Sequence, residues 1–395
     1  MAKRKIIMLL VTYNCNLHCS YCYEPKLQPL RMDATRAKRI ITEQFSLLSD
    51  DYDSVEIQFM GGEPLLEFHL IQEVSEWLWS LPLEKKLHVF YAPTNGTLLD
   101  NEMKAWFTAN KNRIRLELSF DGDQLMQDNN RSMSYKYIDV DYFVRTWPNQ
   151  SVKMTISPQT IQCMSNGVKY LHEKGFKYVS AELAMGPHIE WDKESLIQFR
   201  SELSKLSYFY LSNPNLAPFY MLRSRLTNID GHSGKIVKTC SCGEDFVCVD
   251  WTGKTYACHL FSPVAVSVEK AMKSNRYNFS DHSQFVAECC YKCILNSVCN
   301  HCYGMNYICS DDIAKPSSFH CQAFKIQFVA NCRFRMALAQ QNNDKENIER
   351  INNLINRISI VKNREKGISE FNKKLELIEE NALDNTDEVT PLSDI

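Results

Sequence analysis

Sixteen cysteines occupy this chain of 395 residues, and fourteen of them fall into two groups, one from Cys15 to Cys22 and the other from Cys240 to Cys321. Such a pattern reads as a disulfide framework only in an oxidising compartment. The start, Met1-Ala-Lys-Arg-Lys5, has the charge of a signal-peptide n-region, but the apolar run Ile6 to Val11 ends at Thr12-Tyr13-Asn14, too soon for an h-region. That run reads as a first strand, the chain reads as cytoplasmic, and the grouped cysteines read as metal ligands. Cys163 and Cys332 lie outside the groups, and Cys309 sits in the second without an obvious partner. These three read as small buried hydrophobes.

The length suits a catalytic domain of about 200 to 250 residues with a smaller appendage. Hydrophobic residues at 44% and charged residues at 23% supply a core. The net charge of -2 comes from 45 basic and 47 acidic residues with no long run of one sign, so neither nucleic acid nor an anionic membrane is an expected partner. No run of about 18 apolar residues exists to cross a bilayer.

From residue 6 to about 210, short apolar runs alternate with longer amphipathic ones, the pattern of βα units on a parallel sheet. Strands are predicted at Ile6 to Thr12, Val55 to Met60, Leu87 to Ala92, Arg115 to Phe120, Val152 to Ser157 and Tyr178 to Leu183. A helix is predicted from Asp33 to Leu48, with Asp33 as its cap and Ile40, Ile41, Phe45 and Leu48 on one face. The fold class is α/β, a partial (β/α)6 TIM-like barrel. After about 235 the apolar periodicity fades and turn residues such as Asp250, Gly253 and Asn300 punctuate short segments, so this part is expected to bury little core and to need metal to fold. A helix follows from Gln322 to about Gln340. In the tail, Ile348, Ile351, Ile355 and Ile358 recur at three- and four-residue intervals, predicting an amphipathic helix that binds a partner or folds back on its own domain. Disorder is expected beyond Ala382. The expected domains are 1–235, 236–335 and 336–395.

Cys15-x3-Cys19-x2-Cys22 comes just after the first strand, where a barrel carries its catalytic loops. A four-iron cubane takes four ligands, so three thiolates leave one iron open to a small molecule. A closed zinc site would need a fourth ligand, and His18 is the only nearby candidate. The stretch Cys15-Asn-Leu-His-Cys19-Ser-Tyr-Cys22 resembles the CxxxCxxC signature of radical S-adenosylmethionine enzymes, and Tyr21 before the last cysteine fits it too. The resemblance implies a reducible 4Fe-4S cluster on Cys15, Cys19 and Cys22. It also implies S-adenosyl-L-methionine as cofactor, cleaved reductively to a 5′-deoxyadenosyl radical that abstracts hydrogen from substrate.

Further segments resemble family segments at strand ends. Gly61-Gly62-Glu63-Pro64 follows the second strand, and by resemblance its backbone and Glu63 hold the methionine amino group. Thr94-Asn95-Gly96 and Ser119-Phe120-Asp121-Gly122, with Asn95, Ser119 and Asp121 the candidate side chains, look like segments lining the cofactor. Arg131 matches an arginine that pairs with the methionine carboxylate, a task suited to paired guanidinium hydrogen bonds. Leu183 is expected against the adenine.

The second group is spaced Cys242-x5-Cys248-x9-Cys258, then Cys290-x2-Cys293-x5-Cys299-x2-Cys302, then Cys321. Taken without the first group, two CxxC pairs with further cysteines read first as paired zinc sites. Beside the first group, however, the array resembles the SPASM domain, an auxiliary iron–sulfur extension of radical enzymes that modify peptides and proteins. The resemblance is to anaerobic sulfatase-maturating enzymes and spans about residues 6 to 335. By that resemblance Cys242, Cys248, Cys258 and Cys302 bind one auxiliary 4Fe-4S cluster and Cys290, Cys293, Cys299 and Cys321 the other, with Cys240 and Cys289 as neighbours able to substitute. The family pattern has three residues, not two, between the positions matching Cys299 and Cys302.

Two departures stand out. Sulfatase-maturating enzymes carry a proton-accepting aspartate after the ligand matching Cys258, where this chain has His259, a candidate base or a plain packed ring. They also usually carry glutamine where this chain has Met60. The related enzymes lacking the aspartate act mostly on ribosomally made precursor peptides, forming crosslinks, and this is the expected function: an oxidoreductase and peptide maturase. Sulfatase maturation is the alternative, and a non-catalytic zinc-binding interaction module the alternative of another class. Expected partners are a peptide or protein substrate and an electron donor such as ferredoxin or flavodoxin. With fourteen residues before Cys15, leader recognition is expected from a separate protein or from the 341–380 helix.

Overall fold

The structure, a computed structural model, describes residues 3–24, 30–83, 86–224, 238–291, 293, 295–296, 298–357 and 368–384. The chain opens as β1 (Arg4–Thr12), α1 (Ala34–Ser46), β2 (Ser54–Gly61), α2 (Phe68–Ser80), β3 (Lys86–Leu87), β4 (Phe90–Thr94), α3 (Asn101–Ala109) and β5 (Ile114–Leu118). It continues through α4 (Gln124–Asn130), α5 (Val140–Thr146), β6 (Val152–Ile156), α6 (Met164–Glu173), β7 (Val179–Leu183), α7 (Lys193–Ser212) and α8 (Tyr220–Arg223). All six expected strands are present, the third as the pair β3 and β4. Helix starts repeat one device: Asp33, Asp100, Asp123 and Asp192 each accept the backbone N–H three residues on, at 2.8, 2.9, 3.0 and 2.8 Å. Each such cap contributes about 1 kcal/mol and fixes where its helix leaves the preceding loop.

The described residues form two compact units. The first comprises Met1–Thr155, Glu173–Lys177 and Cys240–Ser280. Its sheet runs β5-β4-β2-β1, with β3 also on β2, and these pairs are parallel. A parallel order brings the C-terminal ends of the strands, Thr12, Gly61, Thr94 and Leu118, to one edge. Helices cover such a sheet, which is why Ile7 to Val11 read as a continuous apolar run and are buried to 5% exposure or less.

The cysteine-rich segment enters this sheet. β8 (Phe246–Val249) pairs in parallel with Ile6–Leu9 of β1 and antiparallel with β9 (Thr255–Tyr256). The segment also buries Phe261 and Leu260 and adds α9 (Val268–Lys273). The expectation of little core is therefore corrected: the segment buries apolar side chains by extending a sheet built more than 200 residues earlier. The turn at Asp250 to Gly253 is observed. The Asp250 carboxylate accepts Thr252 N–H at 2.8 Å, Lys254 N–H at 3.1 Å and the Tyr256 hydroxyl at 2.9 Å, while Gly253 takes φ +90°.

The second unit comprises Ile156–His172, Tyr178–Thr239 and Asp281–Ile395. It carries α10 (Glu288–Tyr291), α11 (Tyr303–Ser310), α12 (Ser318–Gln341), α13 (Lys345–Arg357) and α14 (Ile368–Asp384). α12 packs against α7, α8, α13 and α14. Ile351, Leu354 and Ile355 meet Leu375 and Ile378 on a core with Phe328, Val329, Cys332 and Met336. The tail's apolar face is thus covered by its own chain. α14 ends at Asp384, and residues 385–395, where disorder is expected, lie outside the described residues, as does Ile358. Cys332 is buried as expected, but Cys309 is exposed and Cys163 half-buried, a correction to their reading as core hydrophobes: Cys309 falls in the last turn of an eight-residue helix, beyond its packed face. Among the described residues no helix is long and apolar enough to cross a membrane.

Candidate functional site

The first cysteine loop leaves the end of β1 and lies on the end of β2. Asn14 O accepts the Glu63 N–H at 2.8 Å, and Thr12 O accepts the Gly62 N–H at 3.3 Å. A Cβ on Gly62 would meet the Asn14 carbonyl oxygen and fall 2.9 Å from Cys15 Cβ, and one on Gly61 would meet the Thr12 carbonyl oxygen. The glycine pair is therefore a seat for the cysteine loop. Cys15, Cys19 and Cys22 are half-buried, Leu17 N–H points at Cys15 Sγ (3.5 Å), and Cys22 N–H closes a turn on Cys19 O at 3.1 Å. His18, the candidate fourth zinc ligand, is exposed, and its N–H binds Ser132 Oγ at 2.8 Å.

Beneath this loop Glu63 is 1% exposed. Its carboxylate accepts Thr94 Oγ1 at 2.8 Å, Asn95 N–H at 2.8 Å and Leu65 N–H at 3.1 Å. Burial pushes its pKa up to about 7 against these donors, and Arg131 opposes the rise weakly. Asn95 turns its amide to Asn16 Oδ1 at 2.9 Å, tying the end of β4 to the cysteine loop.

Asp121, at the end of β5, is fully buried and heavily partnered. It accepts the Tyr21 hydroxyl at 2.6 Å, Thr155 N–H at 2.9 Å and Asn130 Nδ2 at 3.1 Å, and pairs with Arg131 Nε at 3.0 Å. Arg131 also lies over the Tyr21 ring, 5.4 Å from its centroid. Burial works against the guanidinium charge, and the facing carboxylate outweighs it, so Arg131 is held more firmly protonated than free arginine. Burial keeps the Tyr21 phenol protonated, with Arg131 opposing and Asp121 reinforcing. The sequence reading placed Arg131 toward a ligand carboxylate; its Nε is engaged by Asp121. Ser119, half-buried, donates its N–H to Thr94 O at 2.8 Å. Leu183 ends β7 in the second unit.

Of the second cysteine group, Cys242 and Cys248 are buried and Cys258 half-buried in the first unit. Burial, then the neighbouring Cys258, pushes the Cys248 thiol up. His259 Nδ1 lies 3.9 Å from Cys258 Sγ, and its ring faces Tyr23 of the first cysteine loop with centroids 6.0 Å apart. Burial, with Lys153, lowers its pKa to about 4, so the ring is neutral.

In the second unit Cys290, Cys293, Cys299 and Cys321 are mutual electrostatic neighbours, and Cys289 Sγ is 3.9 Å from Cys290 Sγ. Burial raises the Cys321 thiol to about 11, with Lys325 opposing. Cys302 is exposed and belongs to this unit. Soft thiolates in this number fit iron–sulfur clusters, and ligation would displace the protons that burial favours. Among the described residues no three or more His, Cys, Asp or Glu side chains form a ready single-ion site.

Two features escaped sequence reasoning. Lys325 is 1% exposed near Cys321, Cys293, Cys299 and Cys290, a position that a helical lysine in sequence does not announce. A cavity of about 780 Å³ opens in the second unit, between the loop after β7 (Met185, Trp191) and Met305, Cys309, Phe319 and His320. Trp191 and Phe319 stack there with centroids 4.5 Å apart.

Residues 9–200 match the radical SAM superfamily model. An uncharacterized protein of Methanocaldococcus jannaschii is 26% identical over 228 residues, 54% of this chain and 74% of that protein. Among solved structures, native anSMEcpe with bound AdoMet superposes with a TM-score of 0.66 at 18% identity, over 86% of this chain and all of that one. Streptococcus suis SuiB bound to precursor peptide SuiA gives 0.55 at 16% identity, over 80% of this chain and 75% of that one. With the cysteine loop seated on Gly61-Gly62 over buried Glu63, residues 9–200 are a radical SAM domain, in a chain whose fold resembles those of anSMEcpe and SuiB.

Proposed function

We propose that this chain is a radical S-adenosyl-L-methionine enzyme that modifies a residue of a ribosomally made precursor peptide. The observation that carries the reading is the contact of the Cys15 loop with Gly62 above buried Glu63, which offers three thiolates and a carboxylate at one strand end. A 4Fe-4S cluster on Cys15, Cys19 and Cys22 with the sulfonium cofactor on its open iron supplies one-electron cleavage and hydrogen abstraction. Glu63 would receive the cofactor's amino group, and the ammonium would draw the carboxyl back to its ionised form. Asp121 orients Arg131 and Tyr21 along the same wall. Cys242, Cys248, Cys258 and Cys302, and then Cys290, Cys293, Cys299 and Cys321, would hold two auxiliary clusters.

A peptide substrate is supported by relatives of the same fold: anSMEcpe has been solved with a Kp18Cys peptide, and SuiB with its precursor. The stacked Trp191 and Phe319 offer an apolar wall to a substrate side chain. α12 occupies the apolar face of the tail helices, so that face is not open to a leader. Ferredoxin or flavodoxin would deliver the electron.

The test is anaerobic reconstitution of the full chain. About twelve irons per chain, three cubanes' worth, and 5′-deoxyadenosine formed on adding S-adenosyl-L-methionine and dithionite are expected, the latter lost in Cys19→Ala. Zinc in place of iron, or iron without deoxyadenosine, would overturn the reading.

A further inference from the structure

In the first unit, β4 and β5 alternate strictly between buried and half-buried side chains. The buried ones face helix: Phe90 meets Phe59 of β2 and Trp79 of α2, with ring centroids 6.3 and 5.4 Å apart. The half-buried ones share the other face. Met8, Gln58, Tyr91 and Arg115 are successive register partners and stand in one row across β1, β2, β4 and β5. Glu56 and Glu117 lie two positions along their strands from that row, hence on the same face. A closed barrel fills its inner face with layers of branched apolar side chains; this face carries charge and stays partly open. Its carboxylates are engaged. Glu56 accepts Arg4 Nη1 at 2.8 Å and Gln58 Nε2 at 2.7 Å. Glu117 accepts the Tyr91 hydroxyl, Gln150 Nε2 at 3.1 Å and Ser151 Oγ at 3.0 Å. Arg115 differs: its guanidinium lies over the Tyr91 ring, 5.7 Å from the centroid, its Nε is buried without a hydrogen bond, and it forms no ion pair with a described residue.

We propose that Arg115 is a specificity residue that receives a carboxylate of the peptide substrate on this face of the sheet. The inference deepens the reading of a peptide substrate and rests on it. A guanidinium held half out of water with a buried donor unbonded has lost hydration that its own chain does not replace. A carboxylate answers that loss with two parallel hydrogen bonds to the planar fork. A phosphoryl group, carrying nearly two charges, would be opposed more strongly by Glu56 and Glu117 on the same face. Arg115 stands three residues before Leu118, about 10 Å below the strand ends at about 3.3 Å per residue. The carboxylate therefore anchors the peptide at a distance from the cysteine loop and takes no part in hydrogen abstraction.

The experiment measures binding to the anaerobically reconstituted full chain by saturation-transfer NMR. The probes are acetyl-Ala-Glu-Ala-amide, its glutamine counterpart, and acetyl-Ala-Ala-Ala with a free carboxyl end, with inorganic phosphate as competitor. A carboxylate-bearing peptide should bind the wild-type chain about tenfold more tightly than the glutamine peptide, as a charge-assisted pair does over a neutral one. The preference should vanish in Arg115→Met and persist in part in Arg115→Lys, which keeps the charge and loses the fork. Preference for the glutamate peptide assigns a side-chain carboxylate, and preference for the free-ended one assigns the peptide terminus. Equal binding of all three peptides to the wild-type chain, or a preference that survives Arg115→Met, overturns the inference while leaving the enzyme reading intact. Phosphate that binds more tightly than either carboxylate peptide overturns the choice of ligand. A wild-type chain that forms 5′-deoxyadenosine yet binds none of the peptides overturns the peptide reading, and the inference with it.

Discussion

Arg131 Nε lies 3.0 Å from Asp121 Oδ1, with Asp121 fully buried and Arg131 7% exposed. The carboxylate is shared with Tyr21 of the cysteine loop and with Thr155 N–H, so the pair joins β5, the residue after α4 and the first cysteine group. Removing one member of a buried pair leaves an uncompensated charge, at about 3–5 kcal/mol. Asp121→Ala should therefore lower the unfolding free energy by about that amount, and Asp121→Ala with Arg131→Met by less than the sum of the two single changes. Denaturant unfolding of the four proteins checks this; additive losses would show the pair uncoupled.

Gly62→Ala should dislodge the first cysteine loop while leaving the strands in place. The added carbon meets the Asn14 carbonyl oxygen and lies 2.9 Å from Cys15 Cβ, and backbone cannot yield as a flexible side chain does. Overpacking of this kind costs about 1–3 kcal/mol. The expected result of iron analysis is a loss of about one cubane's four irons, with circular dichroism little changed. Full iron retention would mean that the loop adjusts.

Glu63 makes a pH signature. Its folded pKa of about 7 stands above the ordinary glutamate value of 4.5, so between these values the folded chain holds a proton that the unfolded chain has released. Stability is then highest below about 4.5 and falls as pH rises to about 7, by about 3 kcal/mol at 1.36 kcal/mol per unit. Glu63→Gln should remove that share of the slope, because the amide cannot ionise. Denaturation midpoints of both proteins from pH 5 to 8 give the comparison; parallel slopes would place the carboxylate's titration elsewhere.

Much of this was legible in the chain. Strands reported themselves as short apolar runs between amphipathic ones, because a covered parallel sheet buries both faces, and Asp33 and the Asp250–Gly253 turn because their chemistry is local. The glycine pair was visible too, though its reason, contact with Asn14 and Cys15, was not. What stayed hidden joins distant residues. β8 lies on β1 across some 240 positions, so nothing near either strand announces the pairing. The ion pair of Arg131 Nε with Asp121 was likewise hidden, since ten positions separate them and no motif links them. Lys325 reads as a solvated helical lysine until α14 covers it.

α14 closes the core of the second unit, and Leu375 is its fully buried contact against Phe328, Val329, Cys332 and Met336. Leu375→Ala deletes buried carbon where α12 and α13 are held on the other sides, so the cavity collapses only in part and the cost should be about 2–5 kcal/mol. Cys332 reports the same event. It is fully buried, and burial holds its thiol well above the ordinary range, so alkylation requires local opening. In the full chain, exposed Cys309 should alkylate rapidly and Cys332 slowly, and Leu375→Ala should speed Cys332 while leaving Cys309 unchanged. Peptide mapping after timed alkylation separates the two sites. Equal acceleration at both would mean that the substitution unfolds the unit as a whole, and an unmoved Cys332 would mean that α14 does not guard it.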